Sequence, residues 1–152
     1  MEFLIVNGPN LGFLGQRQPE VYGTEGMDAL PALVEKLLGA DAGRIRLTRF
    51  QSNSEGLLID RLEEAWKAKV DGLVLNAGAY THTSLALADC LAWIRIPCVE
   101  VHLSNVHARQ SSMRHTSLIA RHCIGAIAGF GVMSYALAVQ ALWQRLGSPE
   151  AA

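Results

Sequence analysis

Apolar residues fall along this chain in two rhythms. Short β-rich runs, Phe3–Val6, Arg44–Phe50, Gly72–Asn76, Cys98–Leu103 and Cys123–Ala128, predict five strands. Between them, apolar positions recur every three or four residues: Leu30, Leu33, Val34, Leu37 and Leu38 within Met27–Leu38, then Leu58, Leu62, Ala65 and Trp66 within Glu55–Lys69. Val132, Tyr135, Val139, Leu142 and Leu146 repeat the spacing within Val132–Leu146. Together with Ser84–Ile94, these stretches predict four helices. Strands alternating with helices predict an α/β fold around a parallel sheet, and the unbroken apolar run Leu73-Val74-Leu75 suits a strand covered on both faces. In such sheets ligands bind outside the carboxyl ends of the strands, near the point where strand order reverses. The segments to inspect are Asn7–Gly23, Asn76–Thr83 and His102–Arg114.

The chain has 152 residues, enough for one domain with a sizeable core, and residues 1–152 read as a single catalytic domain whose tail from Gly147 to Ala152 frays. Hydrophobic residues are 50% and charged residues 18%, which excludes disorder as the main state. A formal net charge of −1 excludes the basic footprint of a nucleic-acid binder or a polybasic membrane anchor. Cys123 to Gln144 carries no charge and is long enough to span a bilayer, but Gly125, Gly129 and Gly131 interrupt it. A strand, a glycine turn and a buried helix are predicted instead, the glycines allowing close packing of the fifth strand on the last helix. Three separated cysteines, Cys90, Cys98 and Cys123, with no CxxC, indicate buried thiols in a reducing compartment. The start Met1-Glu2-Phe3-Leu4-Ile5-Val6 reads as a core strand and not an export signal, so a cytoplasmic location is expected.

Three segments carry candidate chemistry. The first connection is long for a βα loop, where about 2–6 residues are usual, and holds Asn10, Arg17 and Tyr22. A free tyrosine titrates near 10, so a phenolate base at neutral pH needs a drop of about 2–3 pH units. One neighbouring cation supplies about 1–3. Arg17 is one such cation and Arg109, after the fourth strand, a second. The third strand ends in Asn76-Ala77-Gly78-Ala79-Tyr80-Thr81-His82-Thr83-Ser84, where small residues let a ligand approach backbone N–H groups and Thr81, Thr83 or Ser84 can cap the next helix. In the fourth strand Glu100 and His102 are two residues apart and leave the same face. A carboxylate beside an imidazole fixes its tautomer and favours the imidazolium, which makes His102 a candidate general acid. The five histidines show no HxxxH and no Cys/His cluster, and no P-loop, GxSxG or GxGxxG follows the first strand, so neither a zinc site nor a phosphate-binding loop is expected.

Five stretches, Asn7–Leu11, Leu14–Gly23, Gln51–Gly56, Asn76–Ser84 and Glu100–Arg109, stand in an order and spacing that closely resembles the type II 3-dehydroquinate dehydratases, from about Phe3 to Leu146. The resemblance implies a flavodoxin-like three-layer α/β sandwich with a five-stranded parallel sheet, assembled as a dodecamer built from trimers. It implies anti-elimination of water from 3-dehydroquinate to 3-dehydroshikimate through an enolate, a step shared by aromatic biosynthesis and quinate breakdown. Tyr22 resembles the base that takes the C2 proton, with Arg17 lowering its pKa. Asn10 resembles the residue holding the water on the enolate oxygen. His102, oriented by Glu100, resembles the acid that protonates the C1 hydroxyl, with Asn76 beside it on that hydroxyl. Leu103 and Ser104 match the carboxylate-binding positions, His82 a contact to ring hydroxyls, Arg109 a lid arginine, and Asp89 a residue that reaches a neighbouring subunit's site.

One segment departs from the family. After the lid arginine the family usually reads Arg-Glu-Glu-Phe-Arg, whereas this chain reads Arg109-Gln110-Ser111-Ser112-Met113 with Arg114 one place later. Either Arg114 swings in or a hydroxyl contact is missing. Ala88 also stands where the family often has arginine. The departure raises an alternative, a relative that binds a cyclic polyol acid with little or no turnover.

Overall fold

In the computed structural model, which describes residues 1–14, 16 and 26–147, β1 (Glu2–Asn7), β2 (Arg46–Gln51), β3 (Gly72–Asn76), β4 (Cys98–His102) and β5 (Gly125–Ala128) form one parallel sheet in the order β2-β1-β3-β4-β5. This is the flavodoxin-like order, and it reverses between β1 and β3. The helices are α1 (Leu30–Leu38), α2 (Glu55–Lys67), α3 (Leu85–Ile94) and α4 (Met133–Gly147).

Alternation of side chains along the central strands divides the core in two. Leu4, Val6, Leu73 and Leu75 pack with Leu58 and Leu62 of α2 and Leu87 and Leu91 of α3. Phe3, Ile5, Val74, Val99 and Val101 pack on the other face with Leu30 and Val34 of α1 and Tyr135, Val139 and Leu142 of α4. The result is three layers, helices over both faces of the sheet, because β1, β3 and β4 are buried along nearly their whole length.

Element ends differ from the sequence pattern where local chemistry intervenes. A 3-10 turn (Met27–Ala29) precedes α1, whose first turn holds Pro31, a residue without an N–H that is tolerated there. β2 starts at Arg46 instead of Arg44, which closes another 3-10 turn (Gly39–Arg44). β5 starts at Gly125, not Cys123, which follows the 3-10 turn Ala120–His122. β4 ends at His102, one residue short of Leu103. Of the three possible caps, Ser84 caps α3, its Oγ accepting the Leu87 N–H at 2.9 Å.

The glycines after β5 also do something other than expected. A Cβ on Gly125 would meet nothing within 4 Å, so close packing does not require it. Gly129 and Gly131 take φ of +101 and +58 and turn the chain from β5 into α4. Among the described residues no helix is long and apolar enough to cross a membrane.

Candidate active site

At the reversal point, the loops after β1 and β3 are joined backbone to backbone. The Gly8 N–H donates to the Asn76 carbonyl at 2.7 Å, and a Cβ on Gly8 would fall 2.4 Å from the Ala77 oxygen, so only glycine fits. Asn10 follows at φ +64, a left-handed conformation that asparagine tolerates, and its N–H donates to Asn53 Oδ1 at 3.0 Å. Beneath these loops Asn7 and Asn76 are paired in register on neighbouring strands. The fully buried Tyr135 of α4 links them: Asn76 Nδ2 donates to the phenol oxygen at 2.9 Å, and the phenol donates to Asn7 Oδ1 at 2.7 Å. Burial pushes the Tyr135 phenol well above its ordinary value, opposed in part by the Asn76 hydrogen bond. Asn76 Oδ1 accepts the Gly78 N–H at 3.2 Å, which fixes which way the amide faces.

A cavity of about 300 Å³ opens over these strand ends, at the small end of ligand pockets. Seven of the residues named from the sequence line it: Asn10, Asn76, His82, His102, Leu103, Ser104 and Arg109. Arg114 lines it too, whereas Met113 points out, 69% exposed. Of the two outcomes open for this segment, Arg114 at the cavity is therefore the one observed. Arg109 and Arg114 are the cations of the lining, and no carboxylate is among the described lining residues. The cavity is thus suited to a small anion carrying hydroxyl groups.

Glu100 stands behind the cavity wall, 3% exposed. His102 Nε2–H donates to Glu100 Oε1 at 2.6 Å. An ionised carboxylate only accepts, so this contact assigns the proton to Nε2 and leaves Nδ1 unclaimed by Glu100. The His82 ring lies nearly parallel to that of His102, with centroids 6.3 Å apart. Its Nδ1–H donates to the Thr116 carbonyl at 2.7 Å, so in the neutral ring Nε2 is an acceptor. Arg109 Nη2 donates to Ser104 Oγ at 2.9 Å, and His115 Nε2–H donates to the Arg109 carbonyl at 2.7 Å, holding Arg109 from both ends.

Asp89 does not line the cavity; it is exposed on α3. Arg17 and Tyr22 lie outside the described residues. Three contributors escaped the sequence reading. Ser117 donates to Glu100, His115 holds Arg109, and Tyr135 was seen only as one member of an apolar stripe. For Tyr135 a signal existed, since a buried phenol seeks a hydrogen-bond partner and asparagines end both central strands. Among the described residues no group of three His, Cys, Asp or Glu side chains is placed to hold a metal ion.

A family model, dehydroquinase class II, matches residues 1–143. A 3-dehydroquinate dehydratase of Prochlorococcus marinus is 51% identical over 142 residues, covering 91% of each chain. One of Dinoroseobacter shibae is 45% identical over 152 residues, covering all of this chain and 99% of its own. Among solved structures, the type II dehydroquinase of Butyrivibrio crossotus superposes with a TM-score of 0.84 at 40% identity, covering 93% of this chain and 97% of that one.

Proposed function

Since the chain belongs to the dehydroquinase class II family, a family of hydro-lyases, we propose that it removes water from 3-dehydroquinate by anti-elimination through an enolate, with Tyr22 as base and His102 as acid. The chemistry needs both ends. A proton beside a ketone is weakly acidic, so a base must act together with a partner for the enolate oxygen. The departing C1 hydroxyl is a poor leaving group unless it is protonated. Each acid or base contributes about 10²–10⁴-fold.

In this reading the Tyr22 phenolate, kept ionised by Arg17, takes the C2 proton, and Asn10 holds a water on the C3 oxygen. The enolate collapses to the C1–C2 double bond as His102, entering the step as an imidazolium with Nε2–H on Glu100, delivers its Nδ1 proton to the C1 oxygen, with Asn76 on the same hydroxyl; the products are 3-dehydroshikimate and water. Ser104 and the Leu103 backbone receive the carboxylate, His82 a ring hydroxyl, and the Arg109 lid closes over the ring. Lid closure excludes water and strengthens each electrostatic contact. No metal or organic cofactor takes part.

The observation that carries the reading is the buried Glu100–His102 pair, 2.6 Å apart, opening on a cavity lined by two arginines. The alternative, a relative that only binds the polyol acid, takes its motive from Met113 and the altered lid segment; Arg114 on the cavity wall weakens that motive. The proposal extends to one cytoplasmic catalytic domain assembled as trimers into a dodecamer, with Asp89 reaching a neighbouring site. The test is direct: protein mixed with 3-dehydroquinate is expected to develop the ultraviolet absorbance of a conjugated enone. No rise at micromolar enzyme would overturn the proposal.

A further inference from the structure

The buried carboxylate of Glu100 has two oxygens, and His102 takes only one of them. The other, Oε2, accepts the hydroxyl proton of Ser117 at 2.8 Å. Ser117 itself is not free to turn, because its Oγ accepts the Ala120 N–H at 3.0 Å. With one lone pair held by the backbone, the hydroxyl proton has one fixed direction, toward Glu100.

Ser117 lies within a short strut that grips the site at several points. His115 holds the Arg109 carbonyl, the Thr116 carbonyl holds His82, the Leu118 N–H donates to the Thr81 carbonyl at 2.9 Å, and Ile119 is fully buried. Ser117 does not line the cavity. Its side chain reaches the cavity wall through Glu100, which holds His102.

We propose that Ser117 is a positioning residue for the reaction: by holding Oε2 of Glu100 it fixes the carboxylate plane, and thereby the orientation of the His102 ring that delivers the proton. The inference rests on His102 being the acid. A carboxylate with one hydrogen bond pivots about its side chain, whereas one with both oxygens engaged presents a fixed lone pair to Nε2–H. The bland reading is that Ser117 only ties down the 3-10 turn through Ala120.

The two readings separate in a double-mutant cycle on the full-length enzyme. In the wild-type background Ser117→Ala is expected to lower kcat about tenfold, in line with loss of a hydrogen bond to a charged group, with KM changed less than about twofold. Ser117→Thr, which keeps the hydroxyl, is expected to restore kcat to within about threefold. In a His102→Ala background Ser117→Ala is expected to leave the residual rate unchanged, because the group through which it acts is gone. An unchanged kcat for Ser117→Ala, or an equal loss in both backgrounds, would overturn the inference. Should Ser117→Ala not fold, Ser117→Cys, with a weak donor in the same place, must show the same background-dependent loss. If His102→Ala retains full turnover, the assignment of the acid has failed, a result distinct from failure of Ser117 alone.

Discussion

Two buried polar chains end at the carboxyl edge of this sheet. Between β1 and β3 the chain runs from Asn76 through Tyr135 to Asn7, every member neutral. Beside it, under β4, the chain runs from Ser117 through Glu100 to His102, and two of its three members can change charge. Each is supplied by a segment remote in sequence, α4 for the first and the strut around Ser117 for the second. The neutral chain holds the two central strands together and turns an amide toward the cavity. The ionisable chain leaves the other ring nitrogen, Nδ1, unclaimed by Glu100, the position from which the proposed imidazolium gives its proton. Similar hydrogen-bond geometry thus serves shape in one region and, in the proposed mechanism, proton transfer in the other, and the difference lies in which residues make up the chain.

The sharpest way to break this contrast is to remove each terminus. His102→Ala is expected to lower kcat by about 10²–10⁴-fold with a smaller loss of stability than Tyr135→Phe, because the cavity beside the ring admits water to the Glu100 oxygen it leaves and Ser117 still holds the other. Loss of stability in place of activity would merge the two chains into one structural class. Tyr135→Phe is expected to do the opposite. It leaves the Asn7 oxygen and an Asn76 N–H without their partner in the core, and urea unfolding should show a loss of about 2–4 kcal/mol. Full stability in that variant would show that water or relaxation satisfies the asparagines equally well.

A smaller effect should appear only in alkali. The folded state keeps the Tyr135 proton above the ordinary phenol value of 10.0, so the unfolded chain binds fewer protons there. The contribution of the neutral phenol is whole below pH 10.0 and falls as pH rises from there toward the higher folded value, by about 1.4 kcal/mol per pH unit. The buried Cys98 thiol, raised by its Cys123 hydrogen bond and by burial, adds a similar loss starting from 9.0. Tyr135→Phe should flatten the part of the curve above 10.0 and leave the thiol part unchanged; an identical curve would contradict the neutral, buried phenol.

The same contrast explains what could be read from residues alone. β1, β3 and β4 were legible because burial on both faces writes apolar runs into the sequence, and two-residue alternation placed Glu100 beside His102. The edge strands β2 and β5 were less legible at their starts. They lack that double burial, and neighbouring 3-10 turns claim Arg44 and the approach to Cys123. Tyr135 at the asparagines, Ser117 at Glu100 and His115 at Arg109 are contacts between separate segments with no periodicity to announce them. Likewise, reading Met113 as the counterpart of an arginine assumed that loop position follows residue count. One residue more before Arg114 suffices to put that side chain at the cavity and Met113 in solvent.

The proposed division of labour between Tyr22 and His102 is tested most directly by hydrogen exchange at C2 of 3-dehydroquinate in deuterium oxide, followed by NMR with the His102→Ala enzyme. With the base intact and the acid absent, deuterium is expected to enter C2 well ahead of any enone, and Tyr22→Phe should abolish that exchange. Equal loss of exchange and elimination in His102→Ala, or continued enzymatic exchange in Tyr22→Phe, would contradict the account.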